Sequence, residues 1–94
     1  MDDPYLAQAF ARRQLAKGYG PKIINLKLSR MKLDRSVIDF ALEEADIDKQ
    51  IEAIKKYAQK FSRLDKYHLT SRLYSRGFGS QAINKVFDSY YSED

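Results

Sequence analysis

The chain has 94 residues, 44% of them apolar, and a formal charge of +4, enough for one small domain or two tightly packed repeats. No apolar run exceeds three residues, which argues against a membrane-spanning helix or a signal segment. The absence of cysteine excludes disulfides, thiolate zinc sites and thiol catalysis, and predicts a reducing, cytoplasmic setting.

Two prolines and four glycines in a background of helix formers predict an all-α chain of six helices. The first is expected over 4–17, capped by Asp3, opened by Pro4 and ended by Gly18, with Leu6, Ala9, Phe10 and Ala16 as its apolar side. The second covers 21–32, again opened by proline, with Ile24, Leu28 and Met31 on one face. The third, 35–46, takes Asp34 as its cap and Leu33 as a staple onto Ile38. The fourth, 49–63, follows Asp48 and buries Ile51, Ile54, Ala58 and Phe61. Asp65 caps the fifth, 66–76, with Leu64 before it, and Gly77 stops it. The sixth, 80–91, carries Ile83, Val86, Phe87 and Tyr90, and the tail Ser92-Glu93-Asp94 is expected to fray.

The chain repeats itself. Ile24, Leu28, Leu33, Val37, Ile38, Ala41, Leu42 and Ala45 recur 45 positions later as Leu69, Leu73, Phe78, Ala82, Ile83, Val86, Phe87 and Tyr90. Leu6 and Ala9 extend the match to Ile51 and Ile54. Two tandem three-helix repeats follow, 1–47 and 48–94, packed as a short array that presents a surface. A second self-match, Gly18-Tyr19-Gly20 with Gly77-Phe78-Gly79, aligns one turn and little else. It reads as shared connector chemistry: a left-handed glycine, an aromatic staple, then a glycine before a new helix.

Catalytic chemistry is not visible. His68 lacks a nucleophile or ligand partner and reads as a partly buried helix residue. Gly18-Tyr19-Gly20-Pro21-Lys22 lacks the strand and the ending of a phosphate loop. Asp48 reads as a cap, Glu43, Glu44 and Asp46 as a solvated face, and Arg35 with Asp39 as a local ion pair. No metal or cofactor is expected.

Charge is distributed unevenly. Arg12 to Arg35 holds eight basic residues and one acid, and Lys49 to Lys85 holds nine and two. Arg12, Arg13, Lys17 and Lys22 gather at the first turn, and Lys27 and Arg30 lie off the apolar stripe of helix 2. Lys55, Lys56, Lys60 and Arg63 ring helix 4, and Arg72 and Arg76 lie one turn apart on helix 5. With Tyr19, Tyr57, Tyr67 and Tyr74 interleaved, these twelve basic residues form a candidate surface for nucleic acid or an acidic protein.

Asp2-Asp3, Leu6-Ala7-Gln8-Ala9-Phe10, Arg12, Leu15 and Gly18-Tyr19-Gly20-Pro21, then Ile24 and Leu28, resemble the middle repeat of the bacterial RecX proteins. Leu69, Leu73, Arg76-Gly77-Phe78 and Ile83 are similar to the third repeat of that family. The resemblance covers essentially the whole chain. It implies tandem three-helix repeats that bind the RecA filament on single-stranded DNA and suppress its ATPase, strand exchange and co-protease activities, with weak DNA binding of their own. It also implies a preceding repeat ending at Asp2-Asp3.

The chain departs from that pattern in two further places. A glycine turn between helices 2 and 3 is Met31-Lys32-Leu33, which predicts a differently built turn. An acidic residue common in helix 2 is Lys27, and an arginine common in helix 1 is Gln14. The reading is a non-enzymatic regulator of RecA in DNA repair, recombination and the SOS response, with no small-molecule substrate. A helix-turn-helix DNA-binding module, with Gln81 and Asn84 nearest to a base-reading pair, is the alternative. An adaptor for an acidic peptide is a third class.

Overall fold

The computed structural model describes residues 3–90. Within them the chain forms six α-helices and no strand: α1 (Pro4–Ala16), α2 (Pro21–Arg30), α3 (Arg35–Leu42), α4 (Ile47–Lys60), α5 (Lys66–Ser75) and α6 (Ser80–Tyr90). A 3₁₀ turn, Glu43–Ala45, continues α3. The expected fraying of the tail lies outside the described residues.

The helices form two trios in series. In the first, α1 packs mainly on α3 with α2 across them; in the second, α4 packs mainly on α6 with α5 beside it. The result is an elongated body, 47 × 20 × 17 Å. One continuous core runs through it, and the repeated skeleton supplies most of that core. Ile24, Leu28, Ile38, Ala41 and Ala45 are buried in the first trio; Leu69, Leu73, Phe78, Ala82, Ile83, Val86 and Phe87 are buried in the second.

The spacing of 45 residues holds for two helices of each trio. α2 and α5 begin at positions 21 and 66, and α3 and α6 at 35 and 80. It fails for the first helix of each. α1 begins at 4 and α4 at 47, a spacing of 43, and the buried Ala7, Ala11 and Gln14 recur as Gln50, Ile54 and Tyr57. The expected pairing of Leu6 and Ala9 with Ile51 and Ile54 is therefore wrong. Leu6 is 55% exposed, whereas Ala7 and Ala11 are fully buried. Side chains this small let α1 approach α3 closely, so the larger apolar residues around them are not the ones that face the core.

The same shift moves a cap. α4 is capped by Asp46, whose carboxylate accepts a hydrogen bond from the Lys49 N–H at 2.9 Å, not by Asp48. Its last residue is Lys60, so Arg63 lies in the following turn. Asp3 and Asp65 cap α1 and α5 as expected, accepting from the N–H groups of Tyr5 and His68 at 2.8 Å. Asp34 precedes α3, but its side chain makes no capping hydrogen bond.

α1 and α5 end in the same way. The Tyr19 N–H donates to the Gln14 carbonyl and Gly18 to Leu15; Phe78 donates to Leu73 and Gly77 to Tyr74. Gly18 and Gly77 take φ of 93° and 91°, the left-handed conformation this motif requires. The turn after α2 reaches the same conformation without glycine: Lys32 sits at φ 58°, with its N–H bonded to the Ser29 carbonyl. The expectation of a differently built turn holds in part: Leu33 makes no hydrogen bond matching those of Tyr19 and Phe78, while the left-handed position is kept. Lys32 occupies the left-handed position itself, at a cost of about 1 kcal/mol. Lys32→Gly should raise stability by about 1 kcal/mol, read as a rise in Tm of about 5 °C in thermal unfolding.

The two glycine turns also touch each other. The Gly20 N–H donates to the Arg76 carbonyl at 2.8 Å and the Lys22 N–H to the Gly77 carbonyl at 3.1 Å. The carbonyls of Arg76 and Gly77, in the turn that ends α5, therefore cap the N-terminus of α2, where Gly20 has no side chain to do so. A second tie uses buried Gln50, which donates to the Ala45 carbonyl and accepts from the Gly79 N–H ahead of α6. Both ties join one trio to the other.

Candidate functional site

α1 and α4 lie side by side at the junction of the trios and leave a groove of about 230 Å³ between them. Arg12 and Lys17 come from the α1 side, and Lys49, Lys56 and Lys60 from α4. The α4 residues share a face because they recur at spacings of about one or two helical turns. Leu15, Ala53 and Tyr57 provide apolar lining, and Glu52 is the acid that lines the same groove.

Glu44 closes one end electrostatically. Its side chain is only 13% exposed, and its Oε1 pairs with Arg12 at 3.2 Å and Lys49 at 3.6 Å. Glu44 was expected on a solvated face; instead the 3₁₀ turn after α3 directs it between α1 and α4. Lys17, Lys56 and Lys60 have no carboxylate partner among the described residues.

Four of the twelve predicted basic residues therefore come together here: Arg12, Lys17, Lys56 and Lys60. Lys49 joins them and was missed, although its spacing from Lys56 signals a shared face. Arg13, Lys22, Arg30, Lys55 and Arg63 are exposed but do not line the groove. Arg72 is exposed with its guanidinium 5.3 Å from the Phe61 ring.

Two of the twelve are engaged inside the fold. Arg76 donates from Nε to the Gly18 carbonyl at 2.9 Å and from Nη2 to the Lys17 carbonyl at 2.8 Å. Its guanidinium lies 4.3 Å from the Tyr19 ring and 5.4 Å from that of Tyr57. This places a cation on the negative end of α1. Lys27 is half-buried, donating to Gln14 Oε1 at 2.7 Å with its Nζ 4.0 Å from the Tyr19 ring. Lys27 and Gln14, which the sequence singles out separately, are thus partners of each other across α1 and α2.

The remaining candidates are placed plainly. His68 is exposed, not partly buried, and its ring Nδ1 lies 2.9 Å from Asp65. The His68 backbone N–H, and then its ring, hold the Asp65 carboxyl below the usual carboxylate range. Arg35 pairs with Asp39 at 2.9 Å as expected. Gln81 and Asn84 are exposed on α6. Tyr67 and Tyr74 are exposed on α5, whereas Tyr57 is buried. Among the described residues, no three His, Asp or Glu side chains gather in a way that could hold a metal ion. No helix among them is long and apolar enough to cross a membrane.

These features define a class: an all-α protein of two serial helix trios that offers a basic, apolar-lined groove at their junction. The chain is 32% identical over 74 residues to the Regulatory protein RecX of Thermotoga maritima, covering 77% of this chain and 44% of the relative. It is 29% identical over 96 residues to the Regulatory protein RecX of Pectobacterium atrosepticum, covering 96% of this chain and 59% of the relative. The Regulatory protein RecX of Thermotoga petrophila matches at 31% over 74 residues, 77% of this chain and 44% of the relative. The chain is thus similar to the RecX regulatory proteins and spans about half the length of the curated relatives it matches. No family model matches it, and no solved structure matches it significantly.

Proposed function

We propose that the chain is a RecX-type regulator that binds the RecA filament and lowers its ATP turnover and recombinase activity, in the setting of DNA repair and the SOS response. The observation that carries this reading is the similarity to proteins named Regulatory protein RecX, which extends in one case over 96% of the chain. It acts by binding rather than catalysis, as the word regulatory in those names suggests. The two trios, α1–α3 and α4–α6, act as two repeats of one array in the cytoplasm, where the filament forms; the boundary falls at Asp46, the cap of α4, a little before the expected 47/48.

The architecture supports a mechanical mode of action. An elongated body whose trios are tied by backbone hydrogen bonds and by Gln50 has little freedom to bend at its waist. Seated against neighbouring subunits of a filament, it favours one subunit arrangement and so disfavours those visited during ATP turnover. The exposed Arg13, Lys22, Arg30, Lys55 and Arg63 supply a secondary, salt-sensitive attraction for DNA.

Co-sedimentation tests the binding. With RecA filaments assembled on single-stranded DNA, the chain should pellet at low salt and pellet less as salt rises. A chain that remains in the supernatant at every salt concentration overturns the proposal.

A further inference from the structure

We propose that the groove between α1 and α4 seats an acidic peptide segment with one apolar anchor residue, contributed by a protein partner. Its size is the first reason. At about 230 Å³ it is smaller than sites for drug-sized ligands, about 300–1,000 Å³, and it suits one or two side chains. Its chemistry is the second. Leu15, Ala53 and Tyr57 offer an apolar surface for the anchor. Lys17, Lys56 and Lys60 surround it, and no carboxylate of the described residues pairs with them. Glu44 pairs with Arg12 and Lys49 at one end and Glu52 adds a second carboxylate, so the five bases of the lining still outnumber the acids. The surplus of positive charge is therefore local, and a chain of carboxylates flanking an apolar residue complements it.

Nucleic acid fits less well at this place. Binding of single strands uses open aromatic faces on which bases stack. Tyr57 is 8% exposed and edges the groove with the Phe61 ring 4.6 Å away, too little open surface for a base to stack on, and the Tyr19 ring lies beneath Lys27 and Arg76. The exposed Tyr67 and Tyr74 belong to α5 and do not line the groove. The interleaving of tyrosine with basic residues in the sequence thus provides no stacking platform here.

The test uses a fluorescein-labelled peptide of about ten residues, rich in Glu and Asp around a central Phe. Its counterparts carry Ala for Phe or Gln for Glu, and an oligothymidylate of similar length serves as competitor. Anisotropy reports affinity, and NMR shifts of the Leu15, Ala53 and Tyr57 amides report location. The parent peptide should bind and shift those amides. Replacing Phe by Ala, or using the protein variant Lys56→Glu/Lys60→Glu, should each weaken binding about tenfold or more.

Three results overturn the proposal: no binding of the parent peptide, equal affinity of the Phe and Ala peptides, or tighter binding of oligothymidylate with the same amide shifts. Lys56 and Lys60 are exposed, so the variant should still fold cooperatively, with a small fall in Tm from the like charges it sets four residues apart with Glu52 and from the lost base in the last turn of α4. The amide shifts locate the site in the unaltered chain in any case. No filament is present in this experiment, so its outcome is independent of the co-sedimentation result.

Discussion

Substituting Gly20 by alanine should lower the Tm of the chain by about 15 °C or more. A Cβ at position 20 would lie 2.4 Å from the Phe78 nitrogen and 2.5 Å from the carbonyl carbon and oxygen of Gly77. All three are backbone atoms of the other trio, so no side chain can rotate away. Relief requires the two turns to separate, which breaks the hydrogen bonds from Gly20 to Arg76 and from Lys22 to Gly77. The cost is about 3 kcal/mol or more. Gly79 is the control. It occupies the matching position of the second turn, but its Cβ would meet only the Gln50 Oε1 at 3.4 Å. Gly79→Ala should cost about 1 kcal/mol or less. Equal melting of the two variants in calorimetry would show that the turns do not interlock.

Arg76→Ala should follow closely, with a loss of about 2–3 kcal/mol and a fall in Tm of about 10–15 °C. The guanidinium bridges two carbonyls at the end of α1 and lies near two tyrosine rings, all contributed by residues more than 15 positions away in sequence. The three donors of lysine sit on one nitrogen and cannot reproduce the planar fork that reaches the two carbonyls from Nε and Nη2. Arg76→Lys should therefore recover only about half of the loss. Chemical denaturation of the three proteins measures this directly. Full rescue by lysine would mean that charge alone, without the bidentate geometry, holds the joint.

Most of the helical framework was legible because it rests on local chemistry. The apolar skeleton at spacing 45, the prolines that open α1 and α2, and the left-handed glycines that end α1 and α5 each signal their own element. The first helix of each trio was misaligned because Ala7 and Ala11 carry the packing, and small residues give little hydrophobic signal. That misalignment also chose Asp48 over Asp46, since both are good caps and only the three-dimensional register separates them. The two glycine turns match each other in sequence, and nothing in that match signals that they lie against each other in space.

The site was legible in charge and less so in geometry. Lys56 and Lys60 share a face with Lys49 by helical spacing alone. Lys27 and Arg76 looked equally available, but their partners Gln14, Lys17 and Gly18 lie 13 to 59 residues away, beyond what spacing can report. Glu44 shows the converse. An acid that looks solvated in a charged run becomes the counter-ion of two bases once the 3₁₀ turn brings it between α1 and α4.

The rate of ATP hydrolysis by RecA on single-stranded DNA, measured as this chain is titrated in, tests the regulator proposal most directly. A saturable fall in the rate is the predicted result. A rate unchanged at concentrations where the chain co-sediments with the filament would contradict it.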